Sequence, residues 1–121
     1  MKQVLVVDDS SVIRKVASRI LEGLHFRTNE AADGRSAIAE CEKAMPDVIL
    51  LDWNMPEMDG FEFLSALRKM PGGAEPKVVF CTTENEVGHI ARAMRAGADD
   101  YIMKPFDQNI IRSKFTEIGL V

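Results

Sequence analysis

No stretch of this sequence approaches the ~20 consecutive apolar residues that a membrane-spanning helix needs. The opening MKQVLVVDD carries one Lys and an apolar run too short for the core of a secretory signal. Cysteine is scarce: Cys41 and Cys81 lie far apart in apolar surroundings, with no CxxC spacing and no Cys/His cluster. That pattern excludes a disulfide framework and reads as two buried thiols in a reducing compartment. His89 has no His or Cys near it in sequence and reads as a helix-surface residue rather than a metal ligand. Basic charge is also short. Fifteen Lys and Arg stand against nineteen Asp and Glu, a net charge of −4, which argues against a nucleic-acid-binding surface. Internal repeats and low-complexity tracts are absent. These exclusions together leave a cytoplasmic protein that neither enters a membrane nor binds nucleic acid.

What is present is an alternation of two hydrophobic periods. The length of 121 residues suits one domain, spanning 1–121, large enough to bury a core without staples. Short apolar runs occur at Val4–Val7, Val48–Leu51 and Val78–Phe80, with a weaker one at Tyr101–Met103 and a polar, edge-type strand at Phe26–Glu30. Continuous apolar runs of this length suit strands covered on both faces, as in a parallel sheet. Between them lie helical patterns. Val12, Ile13, Val16, Ala17, Ile20, Leu21 and Leu24 make one stripe, with Arg14, Lys15, Ser18, Arg19 and Glu22 opposite. Ala37, Ile38, Cys41 and Met45 mark a second helix, and Phe61, Leu64 and Leu67 a third. Val87, Ile90, Ala91 and Met94 mark a fourth, and Ile110, Ile111, Phe115 and Ile118 a fifth. Ser10 or Ser11, Asp33 and Asp107 are candidate N-caps, while Gly23 and Gly97 lie near helix exits. Five strand–helix units imply an α/β three-layer sandwich, a doubly wound five-stranded parallel sheet between two helix layers. Ligands of such folds bind outside the carboxyl ends of the strands, near the point where strand order reverses.

Polar residues stand at those ends. The first strand runs into Asp8 and Asp9, the third into Asp52, the fourth into Thr82 and Thr83, and the fifth into Lys104, which precedes Pro105. Three converging carboxylates repel one another and raise at least one pKa unless a cation intervenes. An all-oxygen acidic site suits hard Mg2+, and the lack of His or thiol partners argues against zinc. A carboxylate beside such an ion can attack phosphorus to form an aspartyl phosphate, a reaction that asks mainly for charge neutralisation and positioning. Lys104 would supply positive charge and the Thr82 hydroxyl a hydrogen bond.

DD (Asp8, Asp9), LLDWNMPEMDG (Leu50–Gly60), CTT (Cys81–Thr83) and AGADDYIMKPF (Ala96–Phe106), in that order and spacing, resemble the receiver domain of two-component response regulators. The similarity covers essentially the whole chain and is to the single-domain, chemotaxis CheY-like type. It implies the flavodoxin-like (βα)5 topology, with Asp52 as phosphoacceptor. It makes Asp9 a direct Mg2+ ligand, Asp8 one acting mostly through water, and the backbone carbonyl of Asn54 the remaining ligand. Lys104 becomes the partner of the phosphoryl group, with a cis bond to Pro105. Thr82 and Tyr101 become the switch pair, and Asn54 and Glu84 the positions that tune phosphoryl lifetime. Trp53 is expected to be a partly exposed neighbour of the pocket, and Arg14, Lys15, Arg19, Arg92 and Arg95 solvated helix faces.

The function this implies is that of a stand-alone monomeric switch. It would accept a phosphoryl group from a histidine kinase and control a target such as the flagellar motor switch, catalysing only its own phosphotransfer and dephosphorylation. A phosphorelay intermediate or phosphate sink, serving a histidine phosphotransfer protein, shares the pocket and differs in the partner. A Mg2+-dependent aspartate-nucleophile phosphohydrolase is disfavoured, because such enzymes usually carry a second acid two residues after the nucleophile, where this chain has Asn54.

Overall fold

Residues 4–7, 48–51 and 78–80 are buried at every position, so each of these strands needs cover on both faces. Helices supply it from two sides. The computed structural model describes residues 1–53, 55, 58–83 and 88–120. Its elements run β1 (Gln3–Val7), α1 (Ser11–Gly23), β2 (Arg27–Ala31), α2 (Gly34–Lys43), β3 (Val48–Asp52), α3 (Gly60–Lys69), β4 (Lys77–Thr82), α4 (Ile90–Ala96), β5 (Asp100–Met103) and α5 (Gln108–Glu117). The strands pair in parallel in the order β2-β1-β3-β4-β5, the doubly wound flavodoxin-like arrangement expected from the sequence.

The two faces of the sheet separate the core into two layers. Val4, Val6, Val48, Leu50, Val79, Cys81 and Ile102 pack with Ala17 and Leu21 of α1 and Ile111 and Phe115 of α5. Leu5, Val7, Ile49, Leu51, Val78 and Phe80 pack with Ala37 and Cys41 of α2, Phe63, Leu64 and Leu67 of α3, and Ala93 of α4. Both cysteines are free and buried, as expected, and burial pushes the Cys41 thiol up to about 11 and the Cys81 thiol higher still. Among the described residues, no helix is long and apolar enough to cross a membrane.

Helix ends follow local chemistry. Ser10, Asp33 and Asp107 cap α1, α2 and α5, each accepting a backbone N–H three residues on. Asp59 and Glu62 form a reciprocal capping box on α3, which the sequence reading missed. Gly97 closes α4 with φ of 116°. At the exit of α1 the left-handed position is taken not by Gly23 but by His25, with φ of 71°. Its N–H donates to Glu22 O and that of Phe26 to Leu21 O, both at 3.0 Å, completing a Schellman motif. Phe26 is thereby consumed by the helix exit, and β2 begins one residue later than the sequence suggested.

Left-handed backbone costs an L-residue about 1–2 kcal/mol, while glycine loses about 0.5–1 kcal/mol more on folding. His25→Gly is therefore expected to stabilise the protein by about 0.5 kcal/mol, seen as a rise in urea midpoint at unchanged slope. An unchanged or lower midpoint would contradict this account of the α1 exit.

Three helix faces differ from the periodicity reading. Val12 and Val16 are 68% and 46% exposed, while Ser18 is 6% exposed. α1 is rolled toward β2 because Arg14 and Ser18 find an acceptor there in Glu30. On α4 the buried residue is Ala93, and Ala91 and Met94 face outward; Val87 lies outside the described residues. On α5, Ile110 is 40% exposed and the helix seats itself on Ile111 and Phe115.

Candidate functional site

Strand order reverses between β1 and β3, and there the acids meet. The register pairs Val7 with Leu51, Asp52 with Cys81 and Thr82 with Met103, so the residues leaving β1, β3, β4 and β5 emerge side by side. Asp8, Asp52 and Thr82 are buried and Asp9 is exposed. Carboxylate oxygens of Asp8, Asp9 and Asp52 lie within 4.8 Å of one another, a cluster able to hold a metal ion. Lys104 enters from the end of β5, where its N–H bonds Thr82 O at 2.7 Å. Its ammonium donates to Asp52 Oδ1 at 2.9 Å and Asp8 Oδ2 at 3.0 Å. The Lys104–Pro105 peptide is cis.

Burial raises the Asp52 carboxyl most, and the negative charges of Asp8 and Asp9 add to it, while the Lys104 hydrogen bond pulls the other way. The balance leaves Asp52 at about 6. Burial also disfavours the Lys104 cation, but its hydrogen bonds to Asp52 and Asp8 outweigh that and hold its pKa above the ordinary value. Among the described residues one cation, Lys104, thus faces three acids, leaving an excess of negative charge. Oxygen-only donors around that excess fit a hard divalent cation.

Thr82 is positioned but not yet committed to the acids: its hydroxyl donates to Thr83 O at a long 3.4 Å. Tyr101 is half-buried on β5, its ring 5.8 Å from Phe80, with the Lys114 ammonium 5.6 Å from the ring centroid. Trp53 is buried, not partly exposed. It packs on Phe80 at 5.4 Å and Phe61 at 6.3 Å, with the exposed His89 ring at 6.1 Å. Room for it comes from Gly60, where a Cβ would stand 2.9 Å from the indole. Asn54 and Glu84, expected as a metal ligand and as lifetime-tuning positions, lie outside the described residues.

One residue that touches the site's edge was not foreseen from the sequence. Arg14 was taken for a solvated helix face, yet its guanidinium donates to the Asp8 carbonyl at 2.7 Å and to Glu30 at 3.1 Å. The available signal was a basic residue one turn beyond the Ser10 cap, opposite an acidic residue on a polar strand.

A profile for the response regulator receiver domain matches residues 4–116. The chain is similar to the phosphate regulon transcriptional regulatory protein PhoB of Escherichia coli (strain K12), 37% identical over 105 residues. That match covers 87% of this chain but 46% of the relative, so the chain spans about half of that protein's length. It is also 33% identical over 117 residues to the chemotaxis protein CheY of Halobacterium salinarum, covering 97% of this chain and 96% of the relative. Among solved structures, Vibrio cholerae chemotaxis protein CheY4 superposes with a TM-score of 0.91 at 36% identity, over 98% of each chain.

Proposed function

The chain belongs to the response regulator receiver family, and from that premise we propose that it accepts a phosphoryl group on Asp52 from the phosphohistidine of a histidine kinase, with Mg2+ bound, and converts it into a surface change that a partner protein reads. The observation that carries this reading is the Lys104 ammonium held between Asp52 and Asp8 beside the converging acids.

An Asp52 carboxylate oxygen attacks phosphorus as the P–N bond to the donor imidazole breaks, and that bond's electron pair returns to the ring nitrogen. Lys104 already sits within hydrogen-bond reach of Asp52 and follows the charge onto the phosphoryl oxygens. Asp8 and Asp9, with Asp52, offer the oxygens that would hold the ion. Bound there, Mg2+ would supply positive charge to a reaction in which charge neutralisation is the main requirement. Thr82 gives up its long bond to Thr83 O for the stronger anionic acceptor, and Tyr101, packed on Phe80 of the same strand as Thr82, follows. The chain thus catalyses only its own modification.

The similarity to proteins named as chemotaxis CheY supports a chemotaxis role; the target in this reading is a flagellar motor switch, and the acting form a cytoplasmic monomer. The test is incubation with acetyl phosphate and Mg2+, followed by intact mass. One labile phosphoryl group is expected, absent when EDTA replaces Mg2+. A wild-type chain that takes up none, or an adduct that survives removal of the Asp52 carboxylate, overturns the chemistry. Equal capture of phosphorylated and unphosphorylated chain by a motor switch protein overturns the chemotaxis role.

A further inference from the structure

Asp8 is fixed at every polar atom. Its N–H donates to Ala31 O at 3.1 Å, its Oδ1 accepts from Ser10 N at 2.9 Å, and its Oδ2 accepts from Lys104. Its carbonyl accepts from Arg14 Nη1 at 2.7 Å. That carbonyl belongs to the peptide plane shared with Asp9, a rigid unit whose orientation sets where the Asp9 Cα stands and where its side chain starts. Asp9 is exposed, so its backbone matters more to its aim than any packing of its own. Arg14 is held in turn: its Nε donates to Glu30 Oε1 at 3.1 Å, its side chain is 17% exposed, and Ser18 Oγ lies 3.5 Å from Glu30 Oε2.

We infer that Arg14 is a positioning residue for the cation site: anchored by Glu30, it clamps the Asp8–Asp9 peptide so that both carboxylates converge with Asp52. The inference rests on the reading that this cluster binds Mg2+. By charge alone Arg14 would oppose a cation, so deleting the guanidinium would tighten Mg2+ binding. A clamp has the opposite sign, because without it Asp9 loses its preset direction and the ion must order the loop itself. The Glu30 carboxylate, paired with Arg14, reduces the repulsive contribution and leaves the clamp dominant.

The experiment is calorimetric titration of Mg2+ into the full chain as wild type, Arg14→Met and Arg14→Lys, at one pH and ionic strength, with each protein's unfolding midpoint measured in EDTA. Arg14→Met keeps the apolar stem and loses charge and donors; a Kd about 10-fold higher is expected. Arg14→Lys keeps the charge, but one ammonium cannot span the Asp8 carbonyl and Glu30 together as the planar fork does; a Kd about 3-fold higher is expected. A Kd in either variant equal to or below wild type overturns the inference. So does a fall in unfolding midpoint with no change in Kd, which would make Arg14 merely structural. Should Arg14→Met fail to fold, Arg14→Lys decides. Mg2+ uptake by wild type with unchanged variants sinks the clamp alone; no uptake by wild type sinks the clamp and the site reading together.

Discussion

Asp52→Asn is expected to abolish the phosphoryl adduct and, in the same protein without metal, to raise stability at pH 8. Both outcomes come from one group. The carboxylate is the nucleophile, and an amide in its place cannot form the acyl phosphate, so the adduct should fall below detection. The stability gain follows from linkage. In the fold Asp52 titrates at about 6, against an ordinary value of 3.8, chiefly because it is buried and also because Asp8 and Asp9 surround it. Between those two values the folded chain binds the proton more tightly than the unfolded one, so stability falls as pH rises through that window. Above about 6 the full cost is present, about 3 kcal/mol for the roughly two-unit shift. Asn removes that cost but deprives Lys104 of one of its two partners. The net gain at pH 8 is therefore about 1–2 kcal/mol, or about 5 °C in Tm. Unfolding curves in EDTA at pH 8 and pH 4.5 would check it. The gap should shrink at the lower pH, where Asp52 is largely protonated, and Mg2+ should narrow it at pH 8 by stabilising wild type more than the variant. A variant no more stable than wild type at pH 8, or a gap that ignores pH, would show that burial does not strain Asp52.

The strands and the acids were legible in the sequence for the same reason. A run such as Val48–Leu51 is buried on both faces, so it carries no phase to misread, and the polar residue that ends it marks the edge of the sheet. Asp8, Asp9, Asp52, Thr82 and Lys104 stand at such edges, and parallel topology alone brings them together. Helix phase was harder. The apolar set on α1 is wide enough to permit several rolls, and the one adopted exposes Val12 and Val16 because Arg14 and Ser18 are drawn to Glu30. α4 has seven residues, too few to separate a face on Ala93 from one on Ala91 and Met94. Trp53 was misplaced because its burial depends on Gly60, seven positions on, leaving space for the indole. Arg68 escaped notice because its acceptors are mostly backbone carbonyls, which leave no pattern in the sequence around them.

Arg68→Met is expected to cost about 3–4 kcal/mol, lowering Tm by about 12 °C, while leaving Mg2+ affinity within about 2-fold. Arg68 leaves α3 and reaches the opposite edge of the sheet from the acids. Its Nη1 donates to Gly73 O at 2.9 Å and Pro76 O at 2.8 Å. Its Nη2 donates to Gly97 O at 2.6 Å and Asp99 Oδ2 at 3.2 Å, and its Nε adds a bond to Gly97 O at 3.1 Å. The same Asp99 oxygen accepts from Val78 N at 2.8 Å, so one guanidinium ties the end of α3, the turn into β4 and the turn into β5. The side chain is only 18% exposed, and Met would leave three carbonyls and a carboxylate short of donors in a place water reaches poorly. Arg68→Lys should recover only part of the loss, about 1–2 kcal/mol, since a single ammonium cannot meet acceptors spread along the planar fork. Urea unfolding measures the cost, and a loss below about 1 kcal/mol would mean the bonds are replaced by solvent. The Mg2+ titration separates this clamp from the one at the other end. Arg68 holds the entry ends of β4 and β5, and between it and Lys104 β4 is buried and paired with β5, so the folded fraction should present Asp8, Asp9, Asp52 and Lys104 unchanged. Arg14 touches the peptide of a site residue, so there the same kind of substitution should change affinity first.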